Sequence, residues 1–510
     1  MSLAIVRTRA QVGIQAPLVT VEVHLSPGLP TMSIVGLPEA AVKESKDRVR
    51  SAILNSEFEF PAKKITVNLA PADLPKEGGR YDLAIAIGIL AAAGNIPETL
   101  LNQHEFIGEL ALSGEVRPVR GVLSAAIQTQ YAERILILPT GNAEEASLCQ
   151  GAEQKNTRSL LEVCAYLRGQ ASLDEVDNIE PVEFISHHAD LNEVRGQAQA
   201  KRALEITAAG KHNLLFIGPP GTGKTMLASR LPGILPPMSE QEALESAAIH
   251  SISHQQHTSW LKNWKQRPFR SPHHTASGIS LVGGGSKPKP GEISLAHGGI
   301  LFLDELPEFS RKVLDVLREP LESGEICIAR ASRQVTYPAR FQLVAAMNPC
   351  PCGYYGDASA KCTCTEDQVK RYQGQTSGPL LDRIDLQVEV PPISIWELQK
   401  PLTEQSANQQ ENSAVVQDRV LKAWKKQTER QRCSNGQMSN AQVEAFCKLS
   451  EEDENLLKLA IEKLDLSARA YHRVLKISRT IADLDNSEQI QTGHIMEALS
   501  YRKLERYRQN

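Results

Sequence analysis

No stretch of the 510-residue chain is apolar for long enough to cross a membrane. The longest such run, LAIAIGILAAAG, falls short of the roughly 20 residues that a helical span requires and predicts a buried helix instead. The segment MSLAIVRTRAQVGIQ places charges inside its short apolar patch, so the core of a secretory signal is missing. These absences predict a soluble, cytoplasmic protein with no membrane partner. A strong net charge is also absent. At −4, the balance excludes a broadly basic coating for nucleic acid, so any polyanion site has to be local. Basic residues interleaved with aromatics, as in base-stacking platforms, do not occur, nor does a long internal repeat. Nine cysteines in so long a chain are too sparse for a secreted disulfide framework.

What is present is a globular composition, with 41% apolar and 23% charged residues, and enough length for about three domains. Residues 1–170 alternate short strands (LVTVEVHL, KKITVNLA, RILILP) with Ala-rich helical stretches, an α/β pattern. Residues 171–189, acidic and carrying Pro181, read as a linker. A second α/β unit is expected over 190–392. Residues 393–510 read as a helical domain, interrupted by the low-complexity piece EQSANQQENSA.

Gly218-Pro219-Pro220-Gly221-Thr222-Gly223-Lys224-Thr225 fits the G-x-x-x-x-G-K-[ST] phosphate-binding pattern, after the apolar strand NLLFIG and before a helical stretch. Gly218, Gly221 and Gly223 let backbone N–H groups turn inward, with Thr222 in the same loop; Lys224 offers a point charge to the β- and γ-phosphates of ATP, and Thr225 ligates Mg²⁺. Downstream, GGILFLDE predicts a buried strand ending in two carboxylates. Asp304 is expected to hold the Mg²⁺ shell and Glu305 to activate water, although Glu305 is also placed to cap the next helix. FQLVAAMN predicts a further strand that delivers Asn348 to the γ-phosphate or the attacking water.

NPCPCGYYGDASAKCTC holds two C-x-C pairs, Cys350 with Cys352 and Cys362 with Cys364. Four thiolates so spaced can hold a tetrahedral, structural Zn²⁺, and their Pro, Gly, Lys and Asp neighbours are poor company for the alternative, small core residues.

HNLLFIGPPGTGKT, SPHHTASGISLVGGG, PGEISLAHGGILFLDELPEF, NPCPCGYYGD and SGPLLDRIDL resemble, together, the ComM/YifB branch of the magnesium-chelatase-like AAA+ ATPases. The resemblance covers essentially the whole chain. It implies an AAA+ P-loop core with a C-terminal helical lid, assembled as a homohexamer. Arg383 in LLDRID matches that family's arginine finger, offered to the neighbouring subunit's γ-phosphate; the residues alone also permit a surface pair with Asp382 or Asp385. Arg469 falls where the second sensor arginine stands, with Arg473, one turn on, as the alternative. The long interval between Lys224 and Asp304 contains SGISLVGGGSKPKPG, which looks like the clade's insertion into the ring pore, with Lys287 and Lys289 as candidate DNA contacts. Arg330 and Arg333, near the turn of EICIARASRQVTYPARF, are a second pair of candidates.

The first domain is similar to the Lon-type peptidase domain, which implies a ribosomal-protein-S5-like α/β fold. PKEGGRYD puts Arg80 at the nucleophilic serine's place, and GEVRPVRGVLSAAI puts Leu123 at the lysine's place, so Ser–Lys chemistry has neither group; Ser113 and Ser124 do not occupy the required turn. By resemblance the chain is expected to be an ATP-driven helicase on branched or single-stranded DNA, promoting branch migration in natural transformation and working beside recombination proteins. The alternative is a magnesium-chelatase-type motor that drives metal insertion or protein remodelling through a partner.

Overall fold

The computed structural model of the chain describes residues 2–177, 189–253, 259–285, 288–330, 333–356, 361–392, 411–464 and 467–502. They form a mixed α/β protein in two compact units: Met1–Phe184 with Leu244–Trp264, and Ile185–Ala243 with Lys265–Asn510.

The first unit is built on an eight-stranded mixed sheet. Its strands are β1 (Ser2–Arg9), β2 (Leu18–Ser26), β3 (Thr31–Val35), β4 (Lys64–Ala70), β5 (His104–Phe106), β8 (Ile135–Pro139), β9 (Gln154–Thr157) and β10 (Asp174–Glu175). They lie in the order β10-β9-β8-β5-β1-β2-β4-β3, and a separate two-stranded ladder joins β6 (Glu109–Leu110) to β7 (Val116–Arg117). Val19, Val21, Val23 and Leu25 alternate inward along β2, the period-2 pattern of a one-faced strand. Against that face lies the helix Asp82–Ala92, buried at every residue, as its apolar sequence after Asp82 requires; Asp82 itself is paired with Arg48 at 2.7 Å. Gly88 permits the close approach, because a Cβ there would stand 2.6 Å from Val23 Cγ2. β10 continues the sheet into the stretch expected as linker, while residues 178–188 lie outside the described residues.

Arg80 and Leu123 are both buried. Arg80 Nη1 donates to Gln11 Oε1 at 3.1 Å, while its Nε and Nη2 find no hydrogen-bond partner among the described residues. Leu123 N donates to Glu145 Oε1 at 3.0 Å, and the same oxygen accepts from Ser251 Oγ. Burial raises the Glu145 carboxyl above its ordinary range despite these donors. Ser251 belongs to 244–264, a segment expected within a continuous 190–392 core. Its Leu244, Ala247, Trp260, Leu261 and Trp264 instead pack with Val122, Leu123, Ala125 and Ala126 of the first unit, where their apolar area finds cover.

The second unit holds a parallel sheet of β12 (Phe269–Arg270), β15 (Ile300–Leu303), β18 (Gln342–Met347), β11 (Leu214–Ile217) and β19 (Leu386–Glu389), in that order. β15 and β18 are buried throughout, consistent with sequences that are apolar except for Gln342, whose Nε2 donates to Thr207 O at 2.9 Å. Two hairpins are added: β13 (Gly283–Gly284) with β14 (Lys289–Pro290), and β16 (Glu325–Arg330) with β17 (Arg333–Pro338). The C-terminal helices share one core with this sheet. Val416, Val420 and Ala423 from Ser413–Gln431, and Val474, Ile477 and Ile481 from Ala468–Leu484, cluster with Leu204, Phe216 and Val388. The units expected at 190–392 and 393–510 are therefore one packed body, with residues 393–410 outside the described residues.

Candidate active site

The loop after β11 is shaped by close backbone contacts. Gly218 N donates to Met347 O at 3.2 Å, and a Cβ on Gly218 would fall 2.2 Å from Val390 O, so no larger residue fits. Gly221 and Gly223 take φ of +78° and +85°, which glycine adopts without strain. Thr222 Oγ1 closes the loop on Pro219 O at 3.0 Å. The helix Lys224–Ala228 then begins, with Lys224 Nζ donating to Gly218 O at 2.7 Å, Pro219 O at 2.8 Å and Asn348 Oδ1 at 3.0 Å. Burial lowers the pKa of this ammonium, opposed by the nearby Asp304 and Glu305 carboxylates.

Asp304 follows the buried strand β15 and accepts from Thr225 Oγ1 at Oδ2, 2.6 Å away. Hydroxyl and carboxylate oxygens brought together in this way form the hard-oxygen pair that suits Mg²⁺. Parallel neighbours deliver all four groups: β11 and its loop supply Lys224 and Thr225, β15 supplies Asp304, and β18, lying between them, supplies Asn348. Glu305 has φ +51°, a left-handed conformation rare for a side chain of its size, and its N donates to Asp304 Oδ1 at 2.9 Å. Its Oε2 lies 3.1 Å from His274 Nδ1. His274 stands in the stretch SPHHTASG, whose residues carry no catalytic pattern in the sequence.

Arg383 is largely enclosed within its own chain: Nη1 donates to Pro379 O at 2.5 Å and Nη2 pairs with Glu322 Oε1. Asp382 and Asp385 are thus not its partners in this structure. Asp385 instead pairs with Arg473 at 2.5 Å and accepts from Asn213 N at 2.9 Å. Burial alone would raise the Asp385 carboxyl, but Arg473, His212 and the Asn213 N–H outweigh it and hold the group below the usual carboxylate range. Of the two sensor candidates, Arg473 is engaged in this pair, whereas Arg469 is exposed at the start of its helix.

Among the proposed DNA contacts, Lys289 lies in β14, opposite Gly284 of β13, and Lys287 lies outside the described residues. Arg330 and Arg333 are backbone partners at the turn end of the β16–β17 hairpin.

The four cysteines converge, their sulfur atoms all within 4.8 Å of one another. Cys350 and Cys352 Sγ are 3.3 Å apart, Cys352 and Cys362 3.6 Å, and Cys350 and Cys362 3.9 Å. A tetrahedral ion with metal–sulfur bonds of about 2.3 Å sets sulfurs about 3.8 Å apart, so the donor set fits a metal. Backbone N–H groups of Tyr354 and Thr363, followed by the neighbouring thiols, pull the Cys352 thiol down to about 6. The C-x-C spacing announces the cluster but not its neighbour: Gly353, at φ +87°, lies against Pro220 of the phosphate-binding loop.

Residues 190–398 match the family model described as magnesium chelatase, subunit ChlI; 21–142 match subunit ChlI of Mg-chelatase, and 410–502 match its C-terminal region. The chain is 54% identical over 510 residues to competence protein ComM of Haemophilus influenzae, covering 99% of this chain and 98% of that one. It is 52% identical over 506 residues to the uncharacterized protein YifB of Escherichia coli, with the same coverage. Similarity to the magnesium-chelatase 38 kDa subunit of Rhodobacter capsulatus is more distant, 29% over 213 residues, covering 38% of this chain and 54% of that subunit. Among the described residues, no helix is long and apolar enough to cross a membrane.

Proposed function

The chain belongs to the ComM/YifB family of magnesium-chelatase-like AAA+ ATPases, and from that premise we propose that it is an ATP-driven, ring-forming DNA motor. Its reaction on this reading is ATP hydrolysis coupled to branch migration of recombination intermediates, a helicase role in natural transformation. The printed name of the Haemophilus relative supports the competence setting. The observation that carries the motor reading is the convergence of Lys224, Asn348, Thr225 and Asp304 at the ends of three adjacent strands.

In this mechanism Lys224 exchanges its bonds to Gly218 O and Pro219 O for the β- and γ-phosphate oxygens, while the loop N–H groups cradle the same charge. Thr225 and Asp304 are the residues that hold Mg²⁺, which supplies charge neutralisation between the phosphates. Glu305 takes a proton from the attacking water, and Asn348 orients the water or the γ-phosphate. Arg383 leaves Glu322 to complete the site of the adjacent subunit, with Arg469 closing from the helical lid. The ring is a homohexamer with Lys287, Lys289, Arg330 and Arg333 tracking the DNA backbone, a contact with little sequence preference. Cys350, Cys352, Cys362 and Cys364 hold a structural Zn²⁺. The first unit is of the ribosomal-protein-S5/Lon type without peptidase chemistry, since a buried Arg80 and a buried Leu123 provide neither nucleophile nor base.

The deciding experiment is ATP-dependent strand displacement on forked and four-way-junction DNA by the purified full chain, with Glu305→Gln as the blank. Displacement by wild type alone is expected. An ATPase-competent ring that displaces nothing overturns the DNA reading in favour of partner remodelling.

A further inference from the structure

Lys46, Arg50 and Lys63 form no ion pair among the described residues, and all three line one cavity of the first unit. Lys46 and Arg50 stand a turn apart on the helix Ser45–Asn55, hence on one face, and Lys63 precedes β4. Arg48, between them in sequence but on another face, is paired with Asp82 at 2.7 Å, and Arg9 and Arg134 bond Glu105 at 2.6 and 2.9 Å. With Thr31, Asp47 and Phe60, the three unpaired cations surround a space of about 380 Å³, at the small end of the range for ligand pockets. Among the described residues lining it, Asp47 is the one carboxylate, so three positive charges against one leave an excess of two in a chain whose total is −4.

Phe60 gives the cavity a flat apolar wall. Its ring is seated against the core of the unit, and the Arg50 guanidinium stands over it, 5.2 Å from the centroid. β3, which begins at Thr31, is the terminal strand of the sheet, so the cavity opens beside an edge that no further described strand covers. Cations alone attract any polyanion, whereas a guanidinium braced on an aromatic ring offers a surface on which a nucleobase can stack. Only an unpaired base can turn its face to such a surface, since in a duplex both faces are already stacked. The sequence does not interleave these residue types; the helix brings Arg50 to a ring that lies in the loop before β4.

We propose that this cavity is a binding site for single-stranded nucleic acid, with one base lying on the Phe60–Arg50 surface and the flanking phosphates held by Lys46 and Lys63. The site uses no residue of the second unit and needs no ATP, so it goes beyond the motor reading. It gives the first unit a ligand of its own.

The test is photocross-linking and fluorescence anisotropy with the purified full chain, without ATP, on a single-stranded oligothymidine in which one thymidine is replaced by iododeoxyuridine. Wild type should cross-link within residues 51–63, the tryptic segment that contains Phe60. F60L, which stays apolar but removes the ring, should lose that cross-link and weaken binding about fivefold or more, the scale of one base stacked on an aromatic side chain. If F60L fails to fold, R50A, at an exposed position, carries the same expectation. K46A and K63A should each lower the slope of log affinity against log salt by about 0.7, the share of one phosphate contact on a single strand. Cross-links confined to other segments, with affinities and slopes unchanged in the variants, overturn the site and leave the motor reading standing. No binding by wild type overturns the site and counts against the motor reading too. Loss of the cross-link to thymidine monophosphate at equal nucleotide concentration overturns the strand in favour of a free nucleotide. Phosphatidylserine vesicles that bind wild type but not R50A, beside equal oligonucleotide binding by the two, assign the cations to a lipid surface and overturn the proposal.

Discussion

Gly353 packs on Pro220 so tightly that a Cβ at residue 353 would come within 2.5 Å of Pro220 Cδ. The cysteine loop is therefore a wall of the phosphate-binding loop, and it is joined to the site a second time through Asn348, two residues before Cys350 and bonded to Lys224. Gly353→Ala adds both a contact with this ring and a disfavoured φ, at a cost on the order of 1–3 kcal/mol. Weaker binding of a fluorescent ATP analogue is expected, with a lower melting temperature. Binding at wild-type affinity would show that the two loops are mechanically independent.

Metal removal should report on the same contact. Protein purified without added metal should contain about one zinc per chain by elemental analysis. Cys362→Ser should lose the metal, lower the thermal midpoint and weaken nucleotide binding, because the return of the chain after Gly353 loses its anchor. Clearly substoichiometric zinc in folded wild type removes the metal from the structure's account.

On the proposed mechanism the paired carboxylates have separable roles. Glu305→Gln keeps size and polarity but removes the proposed base, so ATP should still bind while turnover falls about 10²-fold or more. Thr225→Ala should instead raise the Mg²⁺ concentration needed for half-maximal activity, because it removes the hydroxyl 2.6 Å from Asp304. A titration of initial rate against Mg²⁺ distinguishes the two; equal defects in both variants would contradict the division of labour.

These residues were legible in the sequence because each is local to a strand end: glycine spacing announces Lys224 and Thr225, an apolar run announces Asp304 and Glu305, and another announces Asn348. What was not legible depends on residues meeting across the fold. Nothing in SPHHTASG says that His274 reaches Glu305, and nothing in LLDRID says that Arg383 meets Glu322 rather than an adjacent aspartate. The segment 244–264 shows the same limit. Its Trp and Leu residues announce burial, but apolar surface is indifferent to which core receives it, so the boundary of the second unit could not be read from them.

Arg383 has to exchange one partner for another if it serves a neighbouring site. Arg383→Ala should leave ATP binding intact and lower hydrolysis in assembled rings by about 10³–10⁵. Mixing the variant with wild type should inactivate more sites than the fraction of variant chains, as expected for a group acting in trans. Proportional loss, or undiminished activity in rings verified by mass, would place the finger elsewhere.

The Asp385–Arg473 pair makes a prediction whose sign can be worked out. The Asp385 carboxyl is held below its unfolded value, about 3.9, so the pair's contribution is fully present above that pH and is lost as pH falls through the folded value. Arg473→Ala leaves a buried carboxylate facing His212, the Asn213 N–H and the Lys476 ammonium, and a deficit of up to about 3–5 kcal/mol near neutral pH is the usual scale for breaking a buried pair. Because protonation of Asp385 relieves that charge, the deficit should shrink as the pH is lowered below about 4. Urea unfolding of wild type and variant across that range measures it. A deficit that stays constant with pH would mean that Arg473 stabilises the helix Ala468–Leu484 by packing, through its apolar stem, and not by its charge.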